Sequence, residues 1–284
     1  MGSLREIKAR IGSIRSTRKI TSAMKMVSAA KLHKSQAAIA SIAPYSQTLG
    51  TIADNLVAGV GLEGLPLAAQ REVGTLVIIA ISSNGTLCGS FNEKVFERVR
   101  RIAADYPQLP PEKIRVCAIG SHVAEEAVHA GMNVTQNLHE IAEKPIYEAV
   151  ASVAQKYIDD FLSGTVDRVE LVYHRFRSAG SSTLVTETLL PVEIEPSKTD
   201  HTEYILEPSR EELIEQLLPF RVKLQLFTAS LSSAASEHAA RMAAMQAATE
   251  NADEMISDLT VEYNKSRQEA ITNELLDIMG GQNK

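Results

Sequence analysis

The residues best placed to do chemistry lie in a turn that follows the most apolar segment of the chain. Thr75–Ser82 has the length and β-branched composition of a buried strand, and the turn Ser83–Asn92 comes directly after it. A nucleotide-binding loop at this place needs a Gly-x-Gly-x-x-Gly pattern or a Walker-type lysine, and the turn contains neither. Two glycines near a strand end most often form a tight turn, so the pattern favours a turn over a phosphate site.

The cysteines and histidines do not form a catalytic or metal-binding pattern. Cys88 could act as a nucleophile, but no histidine is near it in sequence, and Cys117 falls in strand register, within the expected core. His122 and His129 are seven residues apart on a predicted helix, without the carboxylates that would complete a metal site. A Ser-His-Asp triad assembled only in three dimensions would leave no trace in the sequence. We therefore expect no catalysis, metal or cofactor within this chain.

Composition excludes several classes of protein. The 284 residues are 44% hydrophobic but only 5% aromatic, with no Trp, which favours closely packed helices over an aromatic-rich core. The longest apolar run, Leu76–Ile81, is far shorter than the roughly 20 residues of a membrane-spanning helix. Two cysteines are too few for a disulfide scaffold or a thiolate metal site. We expect an intracellular protein without a membrane span.

Charge is distributed unevenly along the chain. The net charge is −6, yet residues 1–36 carry nine Lys or Arg and a single Glu, so the remainder is strongly acidic. A mitochondrial targeting peptide, a nucleic-acid-binding arm and the solvated face of a helix would each explain a basic N-terminal arm. The third explanation is the commonest, and the periodicity of the arm decides among them.

The first segment has the pattern of a long amphipathic helix, extending from about Leu4 to the Gly59 region. Between Gly12 and Pro44 it contains neither Gly nor Pro. Its apolar residues step by three and four in two rows, which are Leu4, Ile7, Ile11 and Ile14, then Ile20, Met24 and Val27. Because the phase slips by one residue between the rows, the pattern predicts a coiled-coil seam with a local stammer.

The last segment predicts a longer helix that would be the partner of the first. Phe220–Met279 contains no Gly or Pro and would span about 90 Å if wholly helical. A sustained heptad seam comprises Met242, Met245, Thr249, Ala252, Ile256, Leu259 and Tyr263. This helix is acidic, so pairing it with the basic first helix lowers the electrostatic repulsion. The pairing argues against a cleaved targeting peptide and weakens the nucleic-acid interpretation.

The lengths of the two helices do not match. In an antiparallel pair, about 20 residues at the C-terminal end would extend beyond Met1 without a partner. They include the apolar residues Ile271, Leu275, Leu276, Ile278 and Met279. An isolated helix with such a patch is marginal in water, so we expect something outside this chain to enclose it.

The middle of the chain alternates strands and helices. Strands are predicted at Thr75–Ser82, Ile114–Ile119, within Met132–Ile141, at Val166–Phe176 and at Thr183–Ile194, with helices at Asn92–Asp105, Ser121–Ala130 and Pro145–Leu162. The predicted fold is therefore mixed α+β and α/β, a long antiparallel coiled coil of the N- and C-terminal helices plus a Rossmann-like α/β domain. We divide the chain into a coiled-coil helix at 1–58, the α/β domain at 73–197, a connector at 198–208 and a second coiled-coil helix at 209–284.

Three segments resemble the gamma subunit of F-type ATP synthases. Ile14–Gln36 is similar to the N-terminal helix of that family, and Ser236–Ala252 and Tyr263–Leu275 are similar to its C-terminal helix. Gly85–Gly89 is similar to a Gly-Leu-Cys-Gly turn of the family, with Asn84–Thr86 where an acidic and a basic residue are commoner. The resemblance extends over the whole chain in order and is most specific at its two ends.

The resemblance implies a central rotor stalk of a proton-translocating F-type ATP synthase, which transmits rotation of the c-ring to three catalytic beta subunits. The subunit itself would not be an enzyme, since ATP chemistry belongs to the beta subunits. The implied partners are a ring of three alpha and three beta subunits, the epsilon subunit and the c-ring, with no nucleic acid and no small-molecule substrate. The implied location is peripheral, on the cytoplasmic face of a bacterial inner membrane.

The resemblance also implies individual contact residues. Those toward the alpha and beta ring are Arg10, Arg18, Lys19, Met24, Lys25, Lys31, Arg241, Arg267, Gln268, Thr272, Glu274, Leu275 and Ile278. Tyr204 and Glu207 would belong to the foot that meets the c-ring. For the basic residues, simple solvation of a helix face is the alternative, because isolated surface ion pairs contribute little.

Two other functions remain open at this point. A basic-armed nucleic-acid-binding coiled-coil protein would show a steep dependence of DNA affinity on salt. A small-ligand α/β enzyme with coiled-coil tails would bind nucleotide saturably as an isolated chain.

Overall fold

The computed structural model describes residues 4–58, 65–193, 206–207 and 209–281, with side chains described to residue 57 in the first range and 276 in the last. The chain divides into two compact units. The first unit, which we call the helical-pair unit, comprises residues 1–29 and 241–284, and the second, the α/β unit, comprises residues 30–240.

Two long helices contribute to both units. Helix α1 comprises Leu4–Ala58 and α6 comprises Arg210–Gly281. Each contains an internal proline, Pro44 in α1 and Pro219 in α6. The part of α6 without Gly or Pro begins after Pro219, but the helix itself begins nine residues before this proline. A proline removes a single hydrogen bond from a helix interior, and packing of the flanking turns can offset that loss.

The α/β unit contains a five-stranded sheet. Its strands are β1 (Leu76–Ile81), β2 (Ile114–Ile119), β3 (Asn133–Asn137), β4 (Arg168–Ser178) and β5 (Ser181–Leu190). The helices between them are α2 (Phe91–Ala104), α3 (Ser121–His129), α4 (His139–Glu143) and α5 (Tyr147–Leu162). Short 3-10 turns lie at Pro66–Ala68 and Pro111–Lys113.

The strand order is β3-β2-β1-β4-β5. The first four strands are parallel, and β5 returns antiparallel to β4 as a hairpin. This is the predicted Rossmann-like arrangement with an added hairpin, so the predicted fold class is confirmed. The central strands are buried on both faces, which is why β1 is a continuous apolar run.

Both faces of the sheet are covered. Side chains of α2 and α3, such as Val95, Val99 and Ala127, pack on one face with the interior of β1 and β2. On the other face, α5 packs together with the parts of α1 and α6 that belong to this unit, through residues such as Leu56 and Leu226. The long helices therefore supply part of the α/β core.

The helical-pair unit consists of α1 up to Ala29 and α6 from Arg241. Contacts between the helices join higher residue numbers of α1 to lower ones of α6, from Arg18 with Asp253 to Lys25 with Gln246. The pair is therefore antiparallel, as predicted. The α6 seam also follows its predicted heptads, with Met245 and Ala252 buried.

The predicted stammer in α1 is wrong. Ile20 and Val27 are 60% and 58% exposed, whereas Thr21 and Ser28 are buried. Ile7, Ile11, Ile14, Thr21 and Ser28 keep one heptad register on the face toward α6, without a slip. Small hydroxyl side chains can be buried here because each is hydrogen-bonded, and their size suits an alanine-rich partner helix.

Candidate functional site

A polar layer fixes the register of the helical pair. The hydroxyl oxygens of Thr21 and Thr249 are 2.8 Å apart. On one side of them, Arg18 Nε lies 2.5 Å from Asp253 Oδ1, and on the other Lys25 Nζ donates to Gln246 Oε1 at 2.8 Å. Sliding one helix along the other would break all three contacts between the helices and leave each hydroxyl with only the carbonyl of its own helix.

The six α1 residues named by the resemblance are not equivalent. Arg10, Lys19 and Lys31 are exposed, and Lys31 belongs to the α/β unit rather than to the helical pair. Arg18 and Lys25 already have partners on α6. Met24 is half-buried. An external acidic partner could therefore bind Arg10, Lys19 and Lys31 directly. To bind Arg18 or Lys25, it would have to replace their partners on α6.

Sequence reasoning missed an exposed apolar row on α1. Ile20, Met26 and Val27 are all more than half exposed. Residues 20 and 27 are seven apart, so they lie on the same face of the helix, beside the basic residue Lys19. One signal in the sequence could have revealed this row. Thr21 and Ser28 are also seven residues apart, so they offer an alternative heptad position for the seam, and a threonine, Thr249, stands in the predicted seam of the partner helix. The row is therefore a candidate contact surface.

The last part of α6 presents a second exposed surface. Arg267, Gln268 and Glu274 are exposed, and Thr272 donates its hydroxyl hydrogen bond back to the Gln268 carbonyl at 2.9 Å. The apolar residues Ile271, Leu275 and Leu276 are also exposed, as the unequal helix lengths predicted. Arg241, at the start of the α6 segment in this unit, is half-buried. Ile278 lies within the helix, and its side chain is outside the described residues.

The foot is represented by a short described segment. Glu207 is exposed and lies at a bend before α6. Tyr204 lies outside the described residues. The proposed contact of these two residues with a c-ring stays a prediction.

The turn after β1 is built on a buried amide. Asn92 Oδ1 accepts the Ser83 N–H at 3.0 Å, and its Nδ2 donates to the Gly85 carbonyl at 3.1 Å. Cys88 is buried against this network, which explains why it is no exposed nucleophile. Leu87 has φ +65° and a side chain that is 57% exposed. A leucine in the left-handed region is rare, so the turn is strongly constrained by its network.

The crevice where open α/β sheets usually bind ligands is covered. In such sheets ligands bind at the carboxyl ends of the strands, where the strand order reverses, here between β1 and β4. Helix α6 lies across that place, because Ser233 Oγ donates to the Ile81 carbonyl at 3.4 Å and Ser236 Oγ donates to the His174 carbonyl at 3.2 Å. Small side chains of α6 thus contact the backbone of β1 and β4 at this side of the sheet.

The structure places the cysteines and histidines that the sequence analysis considered for chemistry. Cys117 is buried in β2, and burial raises the pKa of its thiol to about 11. His122 and His129 lie on α3, with His129 exposed. Within the part of the chain that the structure describes, no group of three or more His, Cys, Asp or Glu residues could hold a metal ion. The described helices include none that is long and apolar enough to span a bilayer.

Comparison with known proteins gives one consistent relationship. A family model described as ATP synthase matches residues 3–283. The ATP synthase gamma chain of Bacteroides thetaiotaomicron is 45% identical over 296 residues, covering 99% of each chain. The ATP synthase gamma chain of Flavobacterium psychrophilum is 41% identical over 286 residues, covering 99% of this chain and 98% of its own.

Two solved structures have a similar fold. One is from the Euglena gracilis mitochondrial ATP synthase, OSCP/F1/c-ring, with a TM-score of 0.69 and 19% identity over 98% of this chain and 93% of that one. The other is from the central stalk/c-ring of the Tetrahymena thermophila mitochondrial ATP synthase, with a TM-score of 0.62 and 20% identity over 81% of this chain and 99% of that one.

Proposed function

This chain belongs to the family of ATP synthase gamma chains, and from that membership we propose that it is the central rotor-stalk subunit of a proton-translocating F-type ATP synthase. It transmits rotation of a membrane c-ring to three catalytic beta subunits. The single observation that carries the proposal is the relationship over the whole length of the chain, at 45% identity and 99% coverage. The alternative of a basic-armed nucleic-acid-binding protein has no support among these relatives.

Its role in catalysis is mechanical rather than chemical. Helix α6 lies against the carbonyls of β1 and β4 at the ligand crevice of the sheet, and Cys88 and Cys117 are buried. A subunit of this kind acts by contacting three catalytic subunits differently at each angle, so that rotation changes their affinities in sequence. Such coupling needs a differential contact free energy and no reacting group of its own.

The antiparallel pair is suited to transmit torque. The polar layer around Thr21 and Thr249 opposes sliding of the two helices, and the heptad seam opposes their separation. One surface carries the exposed apolar row of Ile20 and Val27 beside basic residues. An enclosing alpha and beta ring would bury this row and meet the basic residues with acidic segments.

We assign the remaining partner contacts by the same proposal. The exposed end of α6, with Leu275 and Arg267, would lie inside the ring. Tyr204 and Glu207 would meet the c-ring, and the α/β unit together with this foot would bind the epsilon subunit. The subunit would then be peripheral, on the cytoplasmic face of a bacterial inner membrane.

Reconstitution tests the proposal directly. The full chain is mixed with alpha and beta subunits, and cooperative ATP hydrolysis is measured with and without it. Restoration of hydrolysis by the chain is the expected result. Failure to restore it, with alpha and beta subunits that respond to a known gamma chain, would overturn the rotor function.

A further inference from the structure

Strand β4 continues beyond the end of its neighbour β1. The pairing of the two strands reaches Val172 and β1 ends at Ile81, whereas β4 extends to Ser178. Residues two apart in a strand direct their backbone N–H and C=O groups to the same side. His174 and Phe176, in the extension of β4, therefore present backbone groups to one common neighbour.

Helix α6 supplies that neighbour. Ser232 Oγ accepts the N–H of Phe176 at 2.7 Å, and Ser236 Oγ donates to the His174 carbonyl at 3.2 Å. The Ser236 hydroxyl also lies 2.9 Å from the carbonyl oxygen of Ser232 in its own helix. The two serines are one helical turn apart, so they face the same strand. The helix thus provides a donor and an acceptor where an adjacent strand would otherwise provide them.

A third serine binds the neighbouring strand. Ser233 Oγ donates to the carbonyl of Ile81, the last residue of β1, at 3.4 Å. Successive residues of an α-helix are about 100° apart around its axis, so Ser233 and Ser232 contact the sheet from different sides of α6. Rotation of α6 about its own axis in either direction would therefore lengthen at least one of these hydrogen bonds.

Hydrogen bonds, rather than apolar packing, hold this part of α6 against the sheet. Among the described residues, the apolar side chains that α6 contributes to the core of the α/β unit end at Ala229. Burial of apolar surface is non-directional, whereas a hydrogen bond depends on distance and angle. A rotation of about 30° would move a Cα at the helix radius of about 2.3 Å by about 1.2 Å. A shift of that size is enough to break hydrogen bonds that are 2.7 to 3.4 Å long.

We propose that Ser232, Ser233 and Ser236, which we call the serine lock, are positioning residues that fix the rotational angle of α6 against the sheet. The inference rests on the proposed rotor function, in which torque that enters the α/β unit must reach a helix that continues to Gly281. The serine lock ends four residues before Ala240, the last residue of that unit. Twisting of α6 at this place would let the unit turn without turning the helix, and the three hydroxyls oppose it.

Amide hydrogen exchange tests the serine lock on the full chain alone. In Ser232→Ala the N–H of Phe176 loses its acceptor, so its exchange should become at least about tenfold faster. Ser232→Thr keeps a hydroxyl at this half-buried position and should restore slow exchange. Ser230→Ala is the matched control, because Ser230 is buried in the same helix and its hydroxyl donates to the Leu226 carbonyl of that helix at 2.8 Å. Equal exchange of Phe176 in Ser232→Ala and in the control would overturn the contact on which the lock depends.

Rotation of the assembled complex tests the positioning role. The full chain is combined with alpha and beta subunits, and a bead is attached to the α/β unit through Glu125→Cys, an exposed position on α3. During ATP-driven rotation, the angular spread of the bead at each pause reports how stiffly the unit follows the shaft. Ser232→Ala combined with Ser236→Ala disrupts two of the three contacts and should increase the variance of that spread by at least about 1.5-fold. Ser230→Ala should leave the variance unchanged, whereas a general loss of helix stability would increase it in both variants.

The outcomes separate this inference from the rotor function. If the unmodified chain restores ATP hydrolysis and rotation, an equal angular spread in the double variant and in Ser230→Ala would overturn the serine lock alone. If the unmodified chain fails to restore hydrolysis to alpha and beta subunits that respond to a known gamma chain, the rotor function is overturned. Exchange of the Phe176 amide in the isolated chain then still decides whether the lock fixes α6 against the sheet.

Discussion

The hydroxyl oxygens of Thr21 on α1 and Thr249 on α6 lie 2.8 Å apart in the middle of a polar layer between the two helices. Each hydroxyl also contacts a carbonyl of its own helix, Thr21 that of Arg18 and Thr249 that of Met245. The two side chains therefore join two helical hydrogen-bond systems across the seam. Their pairing defines which turn of α1 faces which turn of α6.

Removing either hydroxyl should weaken the helical pair, and removing both should cost less than the sum. Thr21→Val or Thr249→Val alone leaves the other hydroxyl without its partner across the seam and should lower the free energy of unfolding by about 1 kcal/mol. In a double-mutant cycle, the two substitutions should be coupled by about 0.5–1 kcal/mol. Urea unfolding of the four proteins measures the coupling.

Thr260 supplies the matched control for this cycle. It is exposed on α6, and its hydroxyl bonds only within its own helix, to the Ile256 carbonyl at 2.6 Å. Thr260→Val should change the unfolding free energy by less than about 0.5 kcal/mol and show no coupling to Thr21→Val. Strict additivity of Thr21→Val and Thr249→Val would contradict the register role of the pair.

Gly120 should tolerate no side chain. Its φ is +114°, and a Cβ there would lie 2.5 Å from the Ser82 carbonyl oxygen at the end of β1. Gly120→Ala should therefore destabilise the α/β unit by more than about 2 kcal/mol. Gly12→Ala is the control, because nothing lies near that position in α1 and helix propensity should increase stability by up to about 1 kcal/mol. Equal midpoints of thermal unfolding for the two variants would contradict the close approach of residue 120 to the Ser82 carbonyl.

The sheet could be predicted because its strands depend on local pattern. The predicted strand Ile114–Ile119 coincides with β2, and the prediction for β1 extends one residue beyond it at each end. Both are short, β-branched apolar runs that must be buried on two faces. Their shortness and β-branched composition favour strands over helices, and α2, α3 and α5 follow from the glycines and prolines that flank them.

The face of α1 could not be predicted by hydrophobicity alone. Ile20 and Val27 are larger and more apolar than Thr21 and Ser28, so the pattern placed them in the seam. Burial of Thr21 depends on a hydroxyl on another helix, more than 200 residues away, which a single-segment pattern does not contain.

The two thiols should resist alkylation in the folded protein, and Cys117 more strongly. Burial raises the pKa of Cys117 to about 11, so at pH 8 its reactive thiolate is scarce as well as inaccessible. Cys88 is also buried but lies in a turn, where local opening costs less than opening of β2. Mass spectrometry after iodoacetamide treatment should find Cys88 modified first. Rapid labelling of Cys117 in the native chain would rule out this burial.

Acidification should destabilise the α/β unit through His174. The imidazole is buried, is stacked on Phe91 with ring centroids 4.4 Å apart, and has its Nε2 3.1 Å from the Phe91 carbonyl oxygen. Burial lowers the pKa of His174 below its ordinary value. As pH falls below about 6.5, the unfolded state gains a proton that the folded state does not, so stability is lost.

A non-titrating ring tests that assignment. His174→Phe should show a smaller loss of unfolding free energy between pH 7 and pH 5 than the unmodified chain. His33, which is exposed on α1, provides the control, and His33→Gln should keep the original pH dependence. If His174→Phe loses as much unfolding free energy between pH 7 and pH 5 as the unmodified chain, a group other than His174 causes the pH dependence.

The exposed apolar row should matter to assembly and not to folding. Ile11 and Ile20 are the same residue type on the same helix, but Ile11 is 8% exposed and Ile20 is 60% exposed. Ile11→Gln puts an amide into the seam and should lower the unfolding free energy of the isolated chain by about 2 kcal/mol or more. Ile20→Gln should change it by less than about 0.5 kcal/mol, since its side chain already contacts water.

In reconstitution with alpha and beta subunits, the relative effects of the two substitutions should reverse. When amounts of folded chain are compared, Ile20→Gln should require more protein than Ile11→Gln for half-maximal ATP hydrolysis, because an enclosing ring would bury residue 20. Equal stability of the two variants, or full activation by Ile20→Gln at the unmodified concentration, would show that this face of α1 is solvated in the complex as well.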